Sequence, residues 1–181
     1  MNREYDLYLP WDNAKTAEIF TVLDNELFFR LNPHWIIDSF SSSSETYTVA
    51  ITDHASDESM VLEGSFGRDR AGFIKITANS GDWHSISFLE RNGSLHAKVT
   101  YSHTPSEEVE RQLVFWLRSI KEYLRLYTKR TLNTLIFRFL MNRVILKMTP
   151  SQRKISLMLI RITILELLVI LLILVGWFVF R

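Results

Sequence analysis

The sequence predicts an α+β fold class, in which a curved antiparallel sheet, two short helices and one long helix precede a transmembrane helix. Three observations lead to this prediction. Residues 35–101 contain successive short segments in which apolar and polar side chains alternate, as in half-buried strands. Residues 109–124 repeat apolar side chains at helical spacing, and residues 162–180 are almost entirely apolar.

A strand and two short helices are predicted at the start of the chain. Residues 5–9 alternate between polar and apolar side chains, which indicates a strand. Asp12 is suited to cap a helix that ends near residue 23. Asp24 is suited to cap a second helix over residues 26–31, which a following proline ends.

Six strand-like segments follow these helices. They cover residues 35–40, 46–52, 60–66, 73–78, 83–90 and 95–101, with a polar turn expected at residues 41–44. Asn92-Gly93 separates the last two, and this dipeptide is the strongest short signal for a two-residue hairpin turn. Alternation along the strands places these residues inward: Tyr47, Val49, Ile51, Met60, Leu62, Gly64, Phe66, Ile74 and Ile76.

The long helix has a recognisable start. Thr104-Pro105-Ser106-Glu107 fits a capping box with proline in the first turn, so the helix is expected to begin there. Neither glycine nor proline occurs between Ser106 and Thr149. The sequence therefore leaves open a continuation of this helix towards the membrane segment.

The membrane segment comprises residues 162–180, which are 19 residues with one charged side chain, Glu166. About 20 apolar residues cross the hydrocarbon core as a helix. A domain of about 125 residues is too small to surround so long an apolar helix, which argues against a buried core helix. The pattern of Thr149-Pro150-Ser151-Gln152 predicts that the helix begins at Pro150.

The two parts of the chain carry opposite charge. Residues 1–122 have a net charge of −8, and residues 123–181 have a net charge of +9. Because an acidic domain repels polyanions, the charge excludes nucleic acid as a partner and favours membrane lipids. The chain has no cysteine, so disulfides and thiolate metal sites are excluded.

The orientation follows from the basic residues that precede the membrane segment. Residues 125–161 contain nine basic residues and no acidic one. The positive-inside rule therefore predicts a single-pass membrane protein whose N-terminal domain is cytoplasmic. The residues expected at the membrane surface are Lys129, Arg130, Arg138, Arg143, Lys147, Arg153 and Lys154.

Residues 132–148 are apolar but are interrupted by Arg138, Arg143 and Lys147. This pattern favours a helix that lies in the interface or packs beside the anchor. A continuation of the preceding helix and a re-entrant element are the alternatives. Glu166 is a functional candidate as an intramembrane carboxylate, although pairing with Arg161 or reaching the interface is the favoured interpretation.

The order of elements resembles the START-like (SRPBCC) superfamily, the helix-grip fold of polyketide cyclase/dehydrase-like and lipid-transfer proteins. The resemblance covers residues 5–127. It rests on the element order and on the stretch WDNAKTAEIFTVLDNELFFRLNPHW, which is similar to the helix pair after the first strand. The predicted organisation is a START-like domain over 1–127, a basic amphipathic interfacial helix over 128–149 and a transmembrane helix over 150–181.

The resemblance implies a cavity for an apolar ligand between the sheet and the long helix. Strand parity and helical spacing give its expected lining as Tyr47, Leu62, Ile76, His84, Phe88, Val99, Tyr101, Trp116 and Ile120. His84 and Tyr101 are its polar groups. Alternation places His84 and His96 on opposite faces, so no metal is expected between them. The sequence contains no catalytic or phosphate-binding motif, and no cofactor is predicted.

Three hypotheses of function remain open. The first is a membrane-anchored domain that binds or presents a hydrophobic ligand, such as a lipid, quinone, pigment or isoprenoid, at the cytoplasmic face. The second is a structural or assembly subunit of a larger membrane protein complex, which predicts a filled core. The third is an enzyme of the cyclase/dehydrase type, which requires an acid–base pair from His84 and Tyr101.

Overall fold

The computed structural model describes residues 1–12, 16–43, 45–54, 56–128 and 131–179. A short 3₁₀ helix, Ile145–Lys147, lies between the last two α-helices. The other elements in chain order are β1 Asn2–Pro10, α1 Thr16–Phe20, α2 Asn25–Arg30, β2 Trp35–Ser43, β3 Thr46–Asp53, β4 Ser59–Arg68, β5 Ile74–Ala78, β6 Trp83–Arg91, β7 Ser94–Tyr101, α3 Glu107–Thr128, α4 Leu132–Arg143 and α5 Pro150–Val179.

The seven strands form one curved antiparallel sheet in the order β1-β7-β6-β5-β4-β3-β2. Each strand from β2 to β6 pairs with the next along the chain, and β1 pairs with β7. The helices α1 and α2 follow β1, and the apolar face of α3 packs on the inner face of the sheet. The predicted α+β architecture, with a sheet gripping a long helix, is confirmed.

The centre of the core is Trp116 on α3, which is 1% exposed. Its ring lies within 4.6–6.1 Å of four other aromatic rings, measured between centroids. Its indole Nε1 donates a hydrogen bond to the carbonyl of Phe28, at 2.9 Å. The surrounding rings are those of Phe28, Phe29, Trp35 and Trp83. One side chain thus ties the long helix to α2, to β2 and to β6.

The hairpin between β6 and β7 confirms the prediction from Asn92-Gly93. Both residues have positive φ angles, 55° and 75°, as a type I′ turn requires. Arg91 pairs with Ser94 directly across the turn. The right-handed twist of the strands favours this turn type, so the turn sequence fixes the register.

A β-bulge near the start of β6 overturns the predicted position of His84. The register places Trp83 opposite Tyr101 and Ser85 opposite Thr100, so His84 is the extra residue. Trp83 and Ser85 are buried, whereas His84 is exposed. The bulge also removes the basis for placing His84 and His96 on opposite faces. His96 lies on the outer face, 3.2 Å from a carboxylate oxygen of Glu4.

Several predicted boundaries are wrong. The expected turn at residues 41–44 is strand as far as Ser43, because residues 41–43 continue the ladder with β3. Met60, near the start of β4, is 37% exposed rather than buried, and it lies at the rim of an opening beside α3. The first helix ends at Phe20 rather than near residue 23, and the predicted start after Asp12 lies outside the described residues.

The long helix starts later than predicted and does not continue into the following helix. Its cap is Ser106, whose Oγ accepts a hydrogen bond from the amide of Val109, at 3.3 Å. The helix ends at Thr128, and α4 begins with a new capping box at Thr131. Thr131 and Thr134 exchange hydrogen bonds between backbone amides and side-chain hydroxyls, which satisfies free amides of the first turn. A capping motif without glycine or proline thus separates α3 from α4.

We expect Trp116→Ala to lower the free energy of unfolding by about 3–5 kcal/mol, because it removes a large ring from a closely packed core. Chemical denaturation of the full chain in mild detergent, followed by circular dichroism, measures this change. Phe115→Ala is the matched control, because Phe115 lies next to Trp116 on α3 and is 42% exposed. Equal losses in the two variants would contradict the central role of Trp116.

Candidate functional site

The predicted cavity lining is brought together, but it is packed. Eight of the nine predicted residues are at most 4% exposed, and His84 is at the surface. The eight are Tyr47, Leu62, Ile76, Phe88, Val99, Tyr101, Trp116 and Ile120. The aromatic rings around Trp116 occupy the region in which the resemblance places a ligand. The interior of the grip is therefore a filled core in this conformation.

A small opening remains at one end of the grip. It has a volume of about 90 Å³ and lies between β4, the start of β6 and α3. Leu62, Trp83, Leu113 and Trp116 are among the residues around it. Pockets for organic ligands usually have volumes of about 300–1,000 Å³. The opening is too small for a lipid or a quinone without movement of the surrounding rings.

Tyr47 is one of two tyrosines that supply the polar groups of the grip, and it makes a structural hydrogen bond. Its hydroxyl donates to the carbonyl of Thr77, at 2.8 Å. Burial raises the pKa of Tyr47 well above its ordinary value. Gly64 makes room for this contact, because a Cβ there would lie 2.7 Å from the hydroxyl and 1.8 Å from the Thr77 carbonyl oxygen.

Tyr101, the second tyrosine, joins a network between β1, β7 and α3. Its hydroxyl is 2.7 Å from that of Tyr5, which donates in turn to a carboxylate oxygen of Glu110, at 3.1 Å. Glu110 also forms an ion pair with Arg3. Burial, followed by the hydrogen bond that Tyr101 donates to Tyr5, raises the pKa of Tyr101. The exposed His84 and this bonded tyrosine do not assemble the predicted acid–base pair.

A larger apolar groove lies outside the grip, between α3, α4 and the 3₁₀ helix. It has a volume of about 530 Å³, within the usual range for ligand sites. Arg118, Arg125 and Arg153 lie at this groove together with Glu122. Its apolar walls include Leu31, Phe115, Leu126, Phe137, Met141 and Leu146. Sequence patterns do not indicate this groove, because it forms only where α4 turns back along α3.

Hydrogen bonds from polar side chains connect α3 and α4. The Arg138 guanidinium donates to the carbonyl of Leu126 through Nε and an Nη, at 2.8 and 2.7 Å. It also lies 4.4 Å from the ring centroid of Tyr127. Asn142 accepts a hydrogen bond from the hydroxyl of Tyr123, at 3.1 Å. These bonds fix which side of α4 faces the domain.

A second set of contacts attaches the first turn of α5 to the domain. Arg153 donates to the carbonyls of Ile145, Met148 and Arg30, at 3.0–3.2 Å. Ser151 Oγ lies 3.0 Å from Nε2 of His54. The predicted capping box is also present, since Thr149 and Gln152 exchange hydrogen bonds between backbone amides and side chains. We call the contacts of Arg153 and Ser151 the α5 clamp.

The basic residues predicted for the membrane surface therefore differ in what their side chains contact. The guanidiniums of Arg138 and Arg153 bind backbone carbonyls of the protein, and both side chains are half-buried. Arg143 and Lys147 are exposed. Lys129, Arg130 and the side chain of Lys154 lie outside the described part of the chain.

The helix α5 is long and apolar enough to cross a membrane. None of its most apolar stretch is buried against the rest of the described chain. Its exposed apolar side chains begin with Ile155 and continue through Trp177.

Comparisons with known proteins give similarity at low identity. No protein-family model and no curated protein matches the chain. Similar solved structures include an AHSA1-like protein from Aeromonas hydrophila, at 12% identity over 69% of this chain and 90% of that chain, with a TM-score of 0.42. Protein CV1439 from Chromobacterium violaceum has 14% identity over 72% and 97%, with a TM-score of 0.45. TTHA0849 from Thermus thermophilus has 13% identity over 71% and 100%, with a TM-score of 0.44.

We expect the stability of the domain to fall as the pH rises above 10, the ordinary pKa of tyrosine. The raised pKa values of Tyr47 and Tyr101 mean that both are protonated in the folded state while the unfolded chain ionises. Their stabilising contribution is therefore complete below pH 10 and is lost above it. Denaturant unfolding between about pH 8 and about pH 11 measures this, and Tyr47→Phe should show a weaker loss. An equal loss in that variant would contradict the assignment.

We expect Arg153→Gln to release the α5 clamp without unfolding the domain. The change removes three charge-assisted hydrogen bonds, each of which contributes at most about 1.5–3 kcal/mol. Because this stabilisation is lost, we expect at least tenfold faster amide hydrogen exchange over residues 145–152. Mass spectrometry of the exchanged full chain measures the effect. Arg143→Gln is the matched control, since its side chain is exposed. Unchanged exchange in Arg153→Gln would show that other contacts hold the helix.

Proposed function

We propose that this chain is a single-pass membrane protein whose helix-grip domain stands at the cytoplasmic face and binds the apolar part of a membrane lipid. The proposed site is the groove between α3, α4 and the 3₁₀ helix. The observation that carries the proposal is that the large apolar groove lies at the junction of the domain and the apolar helix, whereas the grip is filled. A ligand drawn from the bilayer meets this groove first.

Two observations support the membrane part of the proposal. The apolar side chains of α5 are exposed along its length, which in water would be a large unfavourable surface. Nine basic residues and no acidic one precede the apolar segment, between residues 125 and 161. This bias favours a cytoplasmic location for the domain, because loops rich in Lys and Arg stay on that side.

The lining of the groove supports a lipid as the ligand. Phe115, Leu126 and Met141 give an apolar surface for an acyl chain, and Arg118 lies at the same groove. A guanidinium beside an apolar channel suits an amphiphile with an anionic head, because it pairs with a phosphate or carboxylate. Glu122 bonds with Arg125, which leaves Arg118 as the better candidate for the head group.

The assembly subunit is the second candidate, and the filled grip favours it. A core without a ligand-sized cavity is what a docking module requires, and the 90 Å³ opening fits that description. In this case, the groove would receive an apolar segment of a partner membrane protein. The two candidates differ in what is bound at the groove, so one measurement separates them.

We expect the full chain, purified from a bacterial membrane in mild detergent, to retain a stoichiometric lipid in native mass spectrometry. Phe115→Glu should reduce lipid occupancy about tenfold, because a carboxylate in an apolar contact costs at least about 1.4 kcal/mol. Val61→Glu is the matched control, since Val61 is exposed on β4 and does not line the groove.

The outcomes separate the candidates. Lipid lost from Phe115→Glu and kept in Val61→Glu supports the proposed site. A lipid-free chain that arrives with a stoichiometric partner protein favours the assembly subunit. Equal lipid in all three proteins would place the lipid elsewhere and overturn the groove as the site.

A further inference from the structure

The helix α4 carries an apolar stripe that the domain leaves uncovered. Leu132, Leu135, Ile136 and Phe139 follow one another at spacings of three, one and three residues, which places them on one face of the helix. Their exposed fractions are 76%, 54%, 59% and 66%. No residue of α4 is buried. Four large apolar side chains on one face form a patch of the kind that marks a protein or membrane contact.

Side chains outside the stripe hold α4 against α3, so the stripe cannot simply turn inward. Arg138 holds the carbonyl of Leu126, and Asn142 bonds with Tyr123. Met141 packs against the core. The rotation of α4 about its axis is thus set by contacts with α3, and these contacts direct the stripe away from the domain.

The charges around α4 indicate what covers the stripe. Arg143 and Lys147 are exposed at its C-terminal end, and no acidic residue occurs between residues 123 and 161. An apolar face flanked by cations suits a bilayer surface that contains anionic lipids. The apolar helix α5 starts at Pro150, seven residues after the end of α4, so the stripe is held near the point at which the chain leaves the domain.

We infer that α4 lies in the cytoplasmic interface of the bilayer, with its apolar stripe in contact with lipid. This inference rests on the proposed membrane location of α5. The domain is then attached to the membrane at two places, by α5 across the bilayer and by α4 along its surface. Phe137 and Met141 of α4 also line the groove, so the attachment places the groove beside lipid.

The absence of cysteine makes the test direct, because a single introduced cysteine is the only site of labelling. The full chain carrying Phe139→Cys is labelled with an environment-sensitive dye and placed in nanodiscs of phosphatidylcholine and phosphatidylglycerol. Ile170→Cys on α5 reports on the span, and Val61→Cys on β4 is the control for an exposed apolar site of the domain. Lipids with a quencher near the head group or deep in the acyl chain then report the depth of each dye.

The inference predicts that the dye at position 139 emits at shorter wavelength than the dye at position 61. It also predicts quenching at 139 mainly by the shallow quencher and at 170 mainly by the deep one. Leu135→Glu, introduced together with the label at 139, should shift the emission back towards that of water. Circular dichroism of this double variant checks that its helical content is unchanged.

Three results would overturn or separate the claims. Lipid quenching at 170 with water-like emission at 139 contradicts the placement of α4 and leaves the membrane span standing. Short-wavelength emission at 139 without lipid quenching shows that a protein, not lipid, covers the stripe. An unquenched dye at 170 removes the membrane span itself, and the proposed function with it.

Discussion

The packing of Trp116 against the rings of Phe28, Phe29, Trp35 and Trp83 is the interaction on which the rest of the domain depends. It joins the long helix to α2 and to the sheet, and its indole hydrogen bond sets the position of α2. The same packing fills the space that a ligand would occupy in the grip. Stability and cavity volume therefore compete for the same side chains, and in this chain the aromatic residues favour stability.

Much of the fold was predictable because it depends on local patterns. The turn at Asn92-Gly93, the cap at Asp24 and the alternation of Tyr47, Val49 and Ile51 each have a short-range physical cause, and each is observed. The bulge at His84 was not predictable, since one extra residue in a strand changes no composition, yet it reverses the faces of both Trp83 and His84 relative to the rest of β6. A continuation of α3 into α4 stayed open at the level of sequence, because the Thr131–Thr134 capping pair lacks the glycine or proline that usually marks such a boundary.

The candidate site was predicted less well, for a related reason. Strand parity shows which side chains face inward, and eight of the nine expected residues do lie in one core. It gives no information about whether the volumes of these side chains leave a void. The groove between α3 and α4 depends on the return of α4 along α3, which the bond from Arg138 to the Leu126 carbonyl stabilises. The sequence does not show whether a basic residue in this segment binds a phosphate or a backbone carbonyl. Arg138 and Arg153 bind backbone carbonyls.

The bonds from Arg153 to the carbonyls of Arg30 and Ile145 have a mechanical consequence. A membrane helix tilts when the thickness of the bilayer changes or when a neighbouring helix displaces it. Because the first turn of α5 is bonded to α2 through this guanidinium, a displacement of α5 is transmitted directly to the domain. In the proposed membrane arrangement, a tilt of α5 within the bilayer would therefore pull on α2 and on the surface contact of α4 together.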